Sequence, residues 1–166
     1  MFVLKVIFHL NAILKLLFYR LIYAIEGGQL IVGKKITFRK GFSIMMDKTA
    51  KISIGDNVFF NNYCSLNANE SITIGSGTIF GENVKIYDQN HCYKDLNTPI
   101  KFQGYTTAPV TIGKHCWIAS NVTILKGVSI GDNCVIGAGC VVYKNVPANT
   151  VLINKQELIA KQPITD

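Results

Sequence analysis

The residues of this 166-residue chain with the most evident chemistry lie in one short run, Asp88-Gln89-Asn90-His91-Cys92-Tyr93-Lys94-Asp95. A neutral imidazole can take a proton from a hydroxyl or an amine near neutral pH, which makes His91 a candidate general base. The plain alternative is a solvated loop histidine. Asp88 is a candidate to orient that imidazole, or else an exposed corner carboxylate. Cys92, beside the base, would be the nucleophile of a double-displacement scheme, but that role needs a lowered thiol pKa and nothing in the sequence marks one. The chain has three histidines, His9, His91 and His115. A zinc site of three histidines would need all of them, and His9 belongs to a separate N-terminal segment, so no metal is expected.

The elements that must position this run are regular. From Val110 the chain reads in sixes that open at Val110, Cys116, Val122, Val128, Cys134 and Cys140, with Val146 opening the next. The third position is always Ile or Val, and Gly or another small or polar residue usually follows. A period of six is neither helical nor simple strand alternation, and it predicts a parallel β-helix. Each hexad supplies a short strand and a turn, and three hexads close a triangular coil of about 18 residues. Coils stack at roughly 4.8 Å. The first residue of each hexad turns inward, while Gly and Asn at the corners tolerate positive φ. Looser sixes open at Leu30, Ile36 and Phe42, then Ile52, Val58 and Cys64, then Ile72, Thr78 and Val84. Together they predict a prism of about five to six coils. Between residues 88 and 109 the repeat is abandoned, and an excursion of that length from a regular solenoid is expected to carry function.

The flanks differ from the repeat. Residues 1–27 read as an amphipathic helix, ended by Gly27-Gly28. Lys5, His9, Asn11, Lys15 and Arg20 occupy one half of the wheel, and Val3, Val6, Ile7, Leu10, Leu14, Leu17 and Leu21 the other. Its polar residues recur too often for a membrane span of about 20 residues. Residues 2–25 suit peripheral association with an anionic membrane, or equally a helix packed on protein. Residues 28–153 are the β-helix domain, and residues 154–166 are expected to form a short C-terminal cap. The net charge of +7 favours an anionic partner, while the absence of a Lys/Arg-rich run argues against nucleic acid. Cys64, Cys116, Cys134 and Cys140 fall at inward positions as small hydrophobes. With no secretory cleavage pattern, this predicts reduced thiols in a cytoplasmic protein, peripheral at most at the inner face of the cell membrane.

Several segments together resemble the hexapeptide-repeat acetyltransferases, in particular the galactoside, maltose and xenobiotic branch. They are Asn83 to His91 with the loop after it, Pro109 to Gly113, Trp117-Ile118-Ala119-Ser120-Asn121, and Ile136-Gly137-Ala138-Gly139 through Pro147. The resemblance implies an all-β, left-handed parallel β-helix, a homotrimer with active sites between prisms, and acetyl-CoA as co-substrate. It implies that His91 is the general base, that Asn61 and Trp117 contact the acceptor, and that Ser120, Ala138, Tyr143 and Lys144 line the coenzyme A groove. The implied reaction is direct acetyl transfer to a sugar hydroxyl of a bacterial surface glycan or its lipid-linked precursor. N-acetylation of an amino sugar, and acetylation of a free sugar or antibiotic, use the same apparatus. A non-catalytic scaffold is the remaining reading, and it predicts no acetyl-CoA binding. The chain departs from the pattern at Ala119, Cys140 and Tyr143. The expected Gly-x-Pro-Ala after Pro147 is replaced by Val151-Leu152-Ile153-Asn154-Lys155, so the resemblance is strongest at the thioester end of the groove.

Overall fold

A computed structural model describes residues 2–155. The hexads form three parallel sheets that wrap one core. The first face stacks Gln29–Val32, Lys51–Ile54, Ser71–Ile74, Val110–Ile112 and Ser129–Ile130. The second stacks Thr37–Phe38, Phe59–Phe60, Ile79–Phe80, Trp117–Ile118, Val135–Ile136 and Val151–Leu152. The third stacks Ser43–Met46, Ser65–Ala68, Lys85–Tyr87, Thr123–Ile124 and Val141–Val142. Five coils are complete and a partial sixth follows. The first and third residues of each regular hexad are both buried, from Val110 and Ile112 to Cys140 and Val142. The one polar residue in an inward slot, Thr78, is satisfied: its hydroxyl donates to the Gly113 carbonyl (2.8 Å) and accepts from the Cys116 N–H (3.1 Å). Those two bonds tie the coil before the excursion to the coil after it.

The 18-residue stacking interval applies only to the regular coils. Equivalent corner bonds join residues 22 apart (Lys34 to Asp56), then 20 apart (Asp56 to Ser76), then 18 apart (Lys114 to Asp132) and finally 16 apart (Asn133 to Asn149). The lower coils are wider because their strands on the first and third faces run to four residues. That extra perimeter holds an aromatic column, Phe42, Phe60 and Phe80, with ring centroids 4.7 and 4.6 Å apart. Above it, where coils narrow, the equivalent slots hold Ile118 and Ile136. The last residue of many hexads is left-handed, including Asn57 (φ 57), Asn83 (φ 55), Asn121 (φ 60) and Asn133 (φ 57). Asn tolerates this conformation better than most side chains, and Asn83 also donates its amide to Asn121 one coil up (2.9 Å).

The N-terminal helix spans Phe2–Glu26 and closes the lower end of the prism. Its orientation differs from a simple apolar docking. Leu16 is buried against the core and Tyr19 and Tyr23 pack beside it, whereas Leu14, Leu17, Phe18, Leu21 and Ile25 are exposed. The predicted polar half therefore contributes to the prism side: Lys15 donates Nζ to the Phe42 carbonyl, and Tyr23 donates its hydroxyl to the Ile44 carbonyl (2.8 Å). The reason is that the terminal coil presents unpaired backbone carbonyls, and an edge of this kind must be covered by donors. Among the described residues, no helix is long and apolar enough to cross a membrane. The expected cap built on Gln156, Glu157, Leu158 and Ile159 lies outside the described residues.

Phe60 is fully buried between two rings. Truncation of such a side chain removes its transfer energy and leaves a cavity, so Phe60→Ala is expected to destabilise by about 3–5 kcal/mol in denaturant unfolding.

Candidate functional site

The excursion leaves from the corner between the third and first faces and returns to the same corner. Its base is an antiparallel ribbon, Gln89–His91 against Tyr105–Thr107, with His91 opposite Tyr105. Asp88 anchors it. The carboxylate is completely buried and accepts the backbone N–H groups of Asn69 and Glu70, each at 2.8 Å, while its own carbonyl accepts from Ala108 N–H (2.9 Å). This corrects both sequence readings of Asp88: it is neither an exposed corner carboxylate nor the partner of the imidazole. It stitches the excursion to the coil below and so fixes where His91 begins.

His91 is exposed, and its ring lies 4.4 Å from that of Tyr105, tilted by 40°. It opens on a cleft of about 740 Å³ whose walls include Cys92, Asp95, Phe102, Thr106 and Lys126. The far side of the loop is clamped by Gln103, whose amide donates to the carbonyls of Asp95 (2.7 Å) and Thr98 (2.6 Å) and accepts from Asp95 N–H (3.2 Å). Bonds from the Thr98 hydroxyl and the Asn97 N–H hold the Asp95 carboxyl below the usual carboxylate range. Sequence reasoning missed Tyr105, Gln103 and Lys126. The turn-forming Asp95-Leu-Asn-Thr-Pro99 signals the loop tip, and Lys126 is found by register beneath Lys144, but nothing in the sequence pairs Tyr105 with His91.

The other predicted residues fall in two columns. Tyr143 and Lys144 are exposed one coil above Leu125 and Lys126, on the same corner as the excursion. The Lys144 ammonium sits over the Tyr143 ring at 5.6 Å. Asn61, Ser120 and Ala138 lie instead on the corner between the second and third faces, and Trp117, 52% exposed, lies on the second face. Neither Asn61 nor Trp117 lines the His91 cleft. Two of these side chains already have structural partners. The Ser120 hydroxyl accepts from Glu82 N–H (3.1 Å), and the Asn61 oxygen accepts from Asn62 N–H (2.9 Å) and from Arg39 Nη1 (3.2 Å). What Asn61 offers a ligand is its amide donor.

All five thiols are free. Burial pushes the Cys64 and Cys116 thiols up, and they donate to the carbonyls of Gly81 (3.1 Å) and Gly131 (3.2 Å) in the coils above. His115 is a left-handed corner residue (φ 55) between the first and second faces, on a different corner from His91. The three-histidine reading therefore loses its geometry.

Residues 109–144, the two regular coils from the end of the excursion to Lys144, match the model of the bacterial transferase hexapeptide family (six repeats). The chain is 32% identical over 147 residues to an Escherichia coli (strain K12) protein named as the lipopolysaccharide biosynthesis O-acetyl transferase WbbJ, covering 84% of this chain and 75% of that one. The chain belongs to the hexapeptide-repeat acetyltransferases. It is also 36% identical to the galactoside O-acetyltransferase of Escherichia coli (strain K12), over 61% of this chain and 49% of that enzyme, so it spans about half of that relative. A crystal structure of the hexapeptide-repeat acetyltransferase VCA0836 of Vibrio cholerae, complexed with acetyl coenzyme A, superposes with a TM-score of 0.64 at 27% identity, over 80% of this chain and 70% of that one. The most regular coils of this acetyltransferase carry the family match.

Asp88→Ala leaves the half-buried N–H groups of Asn69 and Glu70 without their acceptor, so a loss of about 1–3 kcal/mol is expected in denaturant unfolding. In native protein at mildly alkaline pH, a thiol reagent is expected to label Cys92 rapidly and the buried Cys64, Cys116, Cys134 and Cys140 only after unfolding.

Proposed function

We propose that this acetyltransferase carries an acetyl group from acetyl-CoA directly to a sugar hydroxyl of a bacterial surface glycan or its lipid-linked precursor, with His91 as general base. The observation that carries the reading is the placement of His91: an exposed imidazole on an anchored ribbon, beside a cleft walled by Lys126, with Tyr143 and Lys144 one coil up on the same corner. In the reaction His91 takes the hydroxyl proton as the oxygen attacks the thioester carbonyl. A backbone N–H stabilises the oxyanion, and the imidazolium returns the proton to the departing thiolate. The corner column of Lys126 and Lys144 suits the phosphates of coenzyme A. The sugar acceptor is supported by the names of the relatives, one a lipopolysaccharide O-acetyl transferase and one a galactoside O-acetyltransferase.

A homotrimer completes the site in this reading. The column of Asn61, Ser120 and Ala138 and the column of His91, Tyr143 and Lys144 sit at opposite edges of the third face. A neighbouring prism supplies the missing column, and the exposed Tyr93, Leu96, Ile100 and Phe102 of the excursion gain a surface to pack on. A lipid-linked acceptor puts the enzyme at the cytoplasmic face of the membrane, with residues 2–25 as its peripheral contact.

Calorimetry tests the reading without knowledge of the acceptor. Saturable acetyl-CoA binding is expected in the wild type and weaker binding in Lys144→Ala. His91→Ala is expected to keep the binding while acetyl transfer to the glycan falls by about 10²–10⁴-fold. No binding by the assembled oligomer would favour a non-catalytic scaffold.

A further inference from the structure

The protein's charge is unevenly distributed along the prism. Nine of its Lys and Arg residues but only two acids, Glu26 and Asp47, precede residue 52, while residues 52–166 hold eight of each sign. The whole net charge of +7 therefore belongs to the N-terminal helix and the first coil. In the fold these residues share one end. Lys34 and Lys35, Arg39 and Lys40, and Lys48 with Lys51 are exposed at the three successive corners of the lowest coil and its junction with the next. The helix lies across that same end, with Lys15, Leu16, Tyr19 and Tyr23 toward the prism and Leu14, Leu17, Phe18, Leu21 and Ile25 on the opposite side, between 53% and 75% exposed. An apolar stripe ringed by cations is thus built at one end of the molecule.

We infer that this entire end, the outer stripe of the helix together with the basic corners of the first coil, is a docking surface for an anionic lipid bilayer. This goes beyond a peripheral helix, because the prism itself contributes most of the cations and its end, rather than its side, meets the membrane. The stripe satisfies the apolar requirement of an interfacial helix, and the corner lysines and arginines supply the attraction to anionic headgroups. A second copy is the poorer occupant. Two stripes packed together would bring two ends of the same high positive charge face to face, whereas a bilayer supplies the counter-charge. The His91 cleft is lined by no residue of the lowest coil.

The test uses the full chain and needs no enzymatic readout, so it stands or falls separately from the acetyltransferase reading. Cosedimentation with vesicles of phosphatidylcholine and phosphatidylglycerol is expected to show binding that weakens steeply as salt rises, with little binding to pure phosphatidylcholine. Lys40→Gln and Lys48→Gln are each expected to weaken binding about fivefold. Leu17→Asp combined with Leu21→Asp is expected to abolish it with little change in the melting temperature, since both side chains are more than half exposed. Absence of binding to anionic vesicles by the wild type overturns the inference. So does binding that survives the Leu17/Leu21 change, or a fall in oligomer size on that change without any vesicle binding, which would make the stripe an interface between copies.

Discussion

The structure depends on the hydrogen-bond ladder that joins each coil to the next. Backbone bonds such as Gln29 N–H to Ala50, Phe59 N–H to Thr78, Trp117 N–H to Cys134 and Val135 N–H to Thr150 run the length of the prism at 2.9–3.2 Å. They are possible only while every coil stays in register, and the register is held by inward pairs of apolar side chains on all three faces. Corner residues reinforce it from outside: Asp56, Ser76, Ser120 and Asp132 each use a side-chain oxygen to accept a backbone N–H from a neighbouring coil. Little of a regular coil is left for chemistry, because its polar backbone is already paired and its inward side chains are already packed.

That economy explains why the candidate base sits on an excursion. His91 needs a position outside the ladder that is nevertheless fixed, and Asp88 provides it by spending a buried carboxylate on two N–H groups of the coil below. Thr78 performs the complementary task inside the prism, bridging the coils on either side of the inserted loop. The excursion is therefore clamped at its base by one acid and one hydroxyl, and at its tip by Gln103. Ser120 illustrates the reverse lesson. A residue that the family resemblance associates with the cofactor is here also a corner acceptor: its oxygen takes the Glu82 N–H, and its O–H is left to donate.

A stacked repeat also has ends, and the lower end shapes the rest of the molecule. Carbonyls of the first coil have no coil beneath them, and the helix meets them with Lys15 and Tyr23 rather than with leucines. Polar coverage of the edge turns the helix's apolar side outward, beside the most basic part of the chain. The wide, phenylalanine-filled coils next to it mark the same end, where the perimeter is largest.

Much of this was legible from residue order alone. A strict period of six implies the prism, because local strand-and-turn geometry repeats with the sequence, and it located the inward first residue of each hexad from Val110 to Val146 and the break that carries His91, though not that the third positions, Ile112 to Val142, are buried as well. The corner asparagines were legible for the same reason, since their backbone conformation is a local property. Three things were decided only by tertiary structure. Asp88 became buried because its acceptor oxygens meet N–H groups 18 and 19 residues earlier in the chain. Which side of the helix meets the prism was settled by the edge of a distant coil, whose carbonyls take Lys15 and Tyr23 while Leu16 packs on the core. The proposed site residues separated into two corner columns because neighbours along a solenoid are set by coil geometry, which a linear list of motifs does not contain.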